Sequence, residues 1–190
     1  LVGREAEMAI LGASVDDALA GHARFVLLTG EPGMGKTRTA GEVAAYARQR
    51  GARVLWGRCY ESEGAPPLWP WVQILRAAVG TADDDLLQRL LGDGGSQIAQ
   101  LVPEIHARIP DLRPVPATDS DEVRQRFFES VGGFLERLAQ GQPLVVVADD
   151  LQGADPASVA LLQFVVQSFA EGTASPTLIV ASCRSAALAD

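Results

Sequence analysis

The chain has 190 residues, 47% of them hydrophobic and 21% charged, with a formal net charge of −8. That is an ordinary soluble globular composition with room for one α/β core. It excludes a membrane span, because no apolar run is long enough, and it argues against a nucleic-acid grip, because the sequence shows no cluster of cations to displace counterions.

In chain order, the spacing of Met8, Leu11, Val15 and Leu19 predicts a helix from Glu5 to Leu19. The apolar run Phe25 to Leu28 predicts a buried strand ending at Thr29-Gly30. A helix is expected from Thr37 to Arg50, stopped by Gly51, and then a strand over Arg53 to Trp56. A Gly- and Pro-rich loop from Glu61 to Pro67 leads to a helix from Trp69 to Val79, with Pro70 in its first turn. Two short helices, near Asp84–Leu91 and Gln97–Ile105, precede a Pro-rich link, and Asp83-Asp84-Asp85 reads as a solvated turn. Asp121 to Ala139 is an amphipathic helix. Leu144 to Ala148 is a strongly apolar strand. Asp155 and Pro156 open a helix that runs to Ala170, and Thr177 to Ala181 is the last strand. Apolar strands alternating with helices imply an α/β fold, a parallel sheet covered on both faces. Residues 1–190 are taken as one domain with a mostly helical insert at about 60–120. The missing initial Met and the abrupt end at Asp190 suggest a fragment of something longer.

Gly30-Glu31-Pro32-Gly33-Met34-Gly35-Lys36-Thr37 matches G-x-x-x-x-G-K-[ST], between a strand and a helix. In such a P-loop the backbone N–H groups and the helix N-terminus cradle phosphates, and glycines allow the close approach. Lys36 would reach the outer phosphates and Thr37 would offer its hydroxyl to Mg²⁺; Arg38 is taken with the loop as nucleotide-binding. Lys36 is also the one Lys beside fifteen Arg. It stands where a compact ammonium, not a planar guanidinium, fits. The strand Leu144 to Ala148 delivers Asp149 and Asp150. Asp149 is assigned to Mg²⁺ and Asp150 to the attacking water, as general base. Arg184, after the last strand, is expected to sense the γ-phosphate. Asp150-Leu151-Gln152-Gly153 fits the D-x-x-G pattern of GTPases, but no second Lys is left for guanine reading, so ATP is expected. Cys59 and Cys183 are too few and too far apart for a thiolate metal site, and both are expected to be free. His22, His106, Trp56, Trp69 and Trp71 read as surface, core or interface residues.

These motifs together resemble the AAA-type ATPase module of the STAND class of signalling NTPases, as found at the front of large ATP-binding LuxR-type transcriptional regulators. The resemblance is carried by Leu1-Val2-Gly3-Arg4-Glu5, the P-loop, Gly57 to Glu61 with Pro66 to Trp71, Val146 to Asp155, and Val180 to Arg184. It implies that Val2, Gly3 and Arg4 lie at the adenine, that Asp149 and Asp150 are the Mg²⁺ ligand and catalytic acid, and that Arg184 is a sensor. It also implies strand order 1-4-3-2, with a fifth strand beside the first lying beyond this chain. A helical lid, a repeat region and a helix-turn-helix would follow Asp190. The chain departs from the pattern at Gln152 and Gly153, where the family often has His and Trp. The resulting expectation is a cytoplasmic ATP- and Mg²⁺-binding switch. It would bind ADP after slow hydrolysis, form nucleotide-dependent oligomers, and touch neither membrane nor nucleic acid itself. A P-loop small-molecule kinase and a non-hydrolysing interaction platform are the rivals.

Overall fold

The computed structural model describes residues 5–60, 65–112, 121–171 and 175–185. Its elements are α1 (Glu5–Leu19), β1 (Arg24–Thr29), α2 (Lys36–Gln49), β2 (Arg53–Arg58), α3 (Trp69–Thr81), α4 (Asp84–Leu91), α5 (Gly95–Leu101), α6 (Ile105–Arg108), α7 (Asp121–Gly141), β3 (Leu144–Asp149), α8 (Pro156–Glu171) and β4 (Thr177–Cys183). The four strands form one sheet in the order β1-β4-β3-β2, and every pairing is parallel. This is the order expected from the resemblance.

The central strands β3 and β4 are buried along their whole length. Their unbroken Val, Leu, Ile and Ala content is what a strand covered on both faces requires. One core cluster packs α1 and α2 against one face, through Val15, Val43 and Ala47 under Val145, Val147, Leu178 and Val180. A larger one packs α3, α4, α5, α7 and α8 against the other, around Ile74, Leu87, Ile98, Phe134 and Leu161. Register fixes the functional end of the sheet. Leu28 lies opposite Ser182, Ala181 opposite Ala148, and Asp149 opposite Arg58, so the carboxyl ends of all four strands stand in one row. In open α/β sheets that row is where ligands bind.

Several predicted features differ from what is observed. The run Phe25 to Leu28, expected to be a buried strand, forms β1 at the edge of the sheet with Phe25 and Leu27 exposed, because an edge strand is covered less than a central one. The helix expected over Gln97–Ile105 is split into α5 and α6, because Pro103 cannot donate an amide hydrogen bond within a helix. The three aspartates at 83–85 are not merely a solvated turn. Asp83 caps α4 by accepting from the Leu86 N–H at 2.8 Å, and Asp84 and Asp85 occupy its first turn, where negative charge suits the helix dipole. Guanidinium groups close the opposite ends. Arg108 donates to the Val79 and Ala82 carbonyls at 2.9 and 2.7 Å at the end of α3, and Arg137 donates to the Leu90 and Leu91 carbonyls at 2.8 and 3.2 Å at the end of α4. Arg108 is therefore engaged as a helix cap.

Candidate nucleotide site

The turn between β1 and α2 needs glycine at three points. Gly30, Gly33 and Gly35 have φ of 157°, 82° and 80°. The two lower values lie in the left-handed region that disfavours side chains. Gly35 is the N-cap of α2, and no side chain caps that end. The amide groups of its first turn are therefore free of a side-chain acceptor, which suits an anion. Lys36 folds back over the loop, donating to the carbonyls of Gly30 at 2.8 Å and Glu31 at 3.2 Å. It stands at the edge of a cleft of about 600 Å³.

Across that cleft the tip of β3 holds two carboxylates in unlike settings. Asp149 is fully buried. Its Oδ1 accepts from the hydroxyls of Ser182 at 2.5 Å and Thr37 at 3.2 Å. Its Oδ2 is buried and, among the described residues, has no hydrogen-bond partner. A carboxylate oxygen taken out of water without a donor is costly. A divalent cation beside Thr37 would satisfy it, and the two oxygens are of the kind that Mg²⁺ selects. Asp150 is instead partly open to the cleft. Among the described residues it is one of two non-glycine residues with positive φ, at 61°, and its N–H is held by the Ser182 hydroxyl at 2.9 Å. Its Oδ2 accepts from Arg58 Nη2 at 3.0 Å and Nε at 3.2 Å, and its Oδ1 from Gln152 Nε2 at 3.4 Å. Gln152 Oε1 accepts in turn from the backbone N–H of Arg184 at 3.2 Å.

Both thiols are buried. Cys59 lines the cleft, but burial, followed by the nearby charges of Asp155, Asp150 and Asp149, pushes it up to about 12. Burial also raises Cys183, against the pull of Lys36. Both are unbridged. Asp155 is a tether at the start of α8. It accepts from the Ser158 N–H at 3.1 Å, the Ser158 hydroxyl at 2.5 Å and the Leu68 N–H at 3.0 Å. Burial works to raise its pKa, but these hydrogen bonds outweigh it and the carboxyl titrates below its ordinary value.

Of the residues singled out in the sequence, Pro32, Gly33, Gly35, Lys36 and Thr37 meet Asp150 and Arg184 around the one cleft, with Asp149 beneath Thr37. Gly30 and Glu31 serve through their carbonyls. Met34 turns the other way, into a groove of about 360 Å³ between α1 and β1 that also reaches Lys36. Arg38 is exposed on α2. Val2, Gly3 and Arg4 lie outside the described residues. Sequence reasoning missed Arg58, Ser182 and Gln152 as working parts. Arg58 carried a signal, being a charge at the end of an apolar strand just as Asp149 is. Ser182 and Gln152 carried none, because short polar residues at strand ends are common.

The family described as AAA ATPase domain (AAA_16) matches residues 1–180. Among curated proteins the chain is 26% identical over 198 aligned positions to Uncharacterized protein R02095 of Rhizobium meliloti (strain 1021), covering 97% of this chain and 18% of that protein. It is 25% identical over 179 positions to Hybrid signal transduction histidine kinase G of Dictyostelium discoideum, covering 88% of this chain and 5% of that protein. The chain thus spans less than a fifth of either relative. Among solved structures it is similar in fold to Cdc6p from Pyrobaculum aerophilum, with a TM-score of 0.55 and 16% identity, covering 99% of this chain and 40% of that one.

Proposed function

The chain belongs to the AAA ATPase domain family, and from that premise we propose that it binds ATP with Mg²⁺ and hydrolyses it slowly as the switch of a larger signalling or transcription-regulating protein. The observation that carries this reading is the buried Asp149 carboxylate, with one oxygen on the P-loop Thr37 and the other without a donor among the described residues. Thr37 and Asp149 would hold Mg²⁺, which supplies charge neutralisation on the phosphates when bound. The P-loop amides and Lys36 take the phosphates. The apolar groove beside Met34, Leu11 and Val26 suits the adenine end, where Val2, Gly3 and Arg4 are expected.

Hydrolysis at this site is positioning plus electrostatics. A water oxygen bonds to the γ-phosphorus as the bond to the β–γ bridging oxygen breaks, and ADP leaves with that electron pair. Asp150 orients the water and accepts its proton, which then passes to solvent. Arg58 and Arg184 bring guanidinium charge to the same cleft. Lys36, Asp150 and Arg184 are the proposed catalytic set.

ATP would stabilise one arrangement of the neighbouring domains and hydrolysis would release it. The partners proposed are a helical lid, a repeat region and a DNA-binding helix-turn-helix of the LuxR type, together with nucleotide-dependent self-association. The short alignment to a signalling histidine kinase supports a signalling context. A cytoplasmic site of action fits this reading; among the described residues no helix is long and apolar enough to cross a membrane.

Calorimetry and single-turnover hydrolysis test the proposal. Lys36→Ala is expected to lower ATP affinity by at least about a hundredfold, the loss of a charge-assisted phosphate contact. Asp150→Asn should keep binding and lose turnover. Unchanged affinity in Lys36→Ala would remove the site. Retained binding without turnover in the parent would make the chain a non-hydrolysing platform, and transfer of the γ-phosphoryl to an added small acceptor would make it a kinase.

A further inference from the structure

Through Gln73 the helical insert touches the backbone of Arg58, a residue that lines the cleft. This side chain lies in the second turn of α3, and its carboxamide pairs with both polar groups of one peptide residue. The Arg58 N–H donates to Gln73 Oε1 at 3.3 Å, and Gln73 Nε2 donates to the Arg58 carbonyl at 2.9 Å. β2 is an edge strand, paired with β3 on one side. On its other side a strand's amide and carbonyl stand open. At Arg58 the Gln73 amide takes the place of a neighbouring strand. Nε2 also donates to the Trp69 carbonyl at 3.3 Å, which fixes the carboxamide to its own helix.

The helix that holds this clamp is itself pinned. A side chain at Gly57 would place its Cβ 2.3 Å from the Pro70 carbonyl oxygen, so β2 and the start of α3 touch backbone to backbone. Trp71 Nε1 donates to the Ser158 carbonyl at 3.0 Å in the buried core. Asp155 accepts from the N–H of Leu68, whose φ of 61° is strained for a non-glycine residue. α3 is thereby bound to β2 on one side and to the start of α8 on the other.

Arg58 needs such a clamp. An arginine has about 2 kcal/mol of rotamer entropy to lose when it is fixed. The Arg58 side chain is half exposed, yet its guanidinium meets Asp150 through two N–H groups. Fixing the peptide sets the direction in which the side chain leaves the strand, and so where the guanidinium arrives.

We infer that Gln73 is a positioning residue for the phosphate cleft: it sets the place of the Arg58 guanidinium beside Asp150 and makes α3 part of the catalytic assembly, not only a cover for the β2 edge. This rests on the ATPase reading above. The test is steady-state ATP hydrolysis by the purified protein with Gln73→Leu, Arg58→Gln and the double variant, each checked by thermal melting. Gln73→Leu should lower kcat about tenfold while KM for ATP stays within twofold. The double variant should be no slower than Arg58→Gln alone, since both substitutions act through one guanidinium. Should Gln73→Leu not fold, Gln73→Met, with an unbranched stem, replaces it. Full kcat in the folded variant, losses that multiply in the double variant, or a faster rate than the parent would each overturn the inference. Lys36→Ala separates the two levels. If it abolishes turnover while Gln73→Leu is neutral, the positioning role alone fails. If the parent shows no turnover, both fail.

Discussion

The two edges of the sheet are built differently. β1 ends the sheet on one side with alternate residues turned outward, and Phe25 and Leu27 are 43% and 37% exposed. β2 ends it on the other side under α3, with Leu55 buried at 3%. Yet β1, the barer strand, delivers the motif that is plain in the sequence. β2, the covered one, delivers Arg58, whose part depends on contacts from distant segments. A phosphate loop is a local backbone device and tolerates an open flank. A guanidinium on a long stem has to be aimed, and the aiming comes from what packs over it.

The sharpest contrast is apolar truncation on each edge. Leu55→Ala should cost about 2–5 kcal/mol, the sum of lost transfer and cavity terms. Phe25→Ser should cost at most about 1 kcal/mol, because that ring is already half in water. Equal costs in denaturant melts would show that the β1 edge is covered in solution. Next is the close approach at the covered edge. Gly57→Ala puts a methyl against the Pro70 carbonyl and should destabilise by about 1–3 kcal/mol, with α3 displaced. A neutral effect would mean that α3 is loosely seated.

Between the edges, Asp149→Asn should weaken ATP binding in Mg²⁺ about tenfold, or about 1.4 kcal/mol, and leave Mg²⁺-free binding nearly unchanged. Titration calorimetry with and without EDTA reads the difference. A small effect is expected at the tether of α3. Asp155→Asn should cost about 1 kcal/mol, as for loss of a helix cap. It should also change the acid limb of stability. The hydrogen bonds hold the folded pKa of Asp155 below the ordinary carboxyl value of 3.8, so its contribution is complete above that value and is lost as pH falls through the folded pKa. The parent and Asp155→Asn should therefore converge in stability at acid pH and differ near neutrality.

Much of the fold was legible because its signals are local. Apolar runs without interruption predicted β3 and β4, and Asp155-Pro156 predicted the start of α8. Strand ends were placed two residues short, at Trp56 for β2 and Ala181 for β4. Gly57 and Arg58, and Ser182 and Cys183, have no strand-like pattern by themselves and are extended by pairing with β3 and β1. The Asp83–Asp85 run shows the same limit. Three adjacent acids look solvated until Leu86 offers an N–H to the first of them.

By itself the sequence determined that a glycine-bearing turn joins a strand to a helix with Lys36 and Thr37 at its mouth, and that an apolar strand ends in two carboxylates. Backbone conformation and burial pattern are written in neighbouring residues, so a window of a few positions suffices. Only the tertiary structure decided that Asp149 is buried against Thr37 and Ser182, while Asp150 faces Arg58. Those partners lie 112, 33 and 92 positions away. The sheet's order and register bring them together, and two identical side chains in sequence thereby acquire different chemistry.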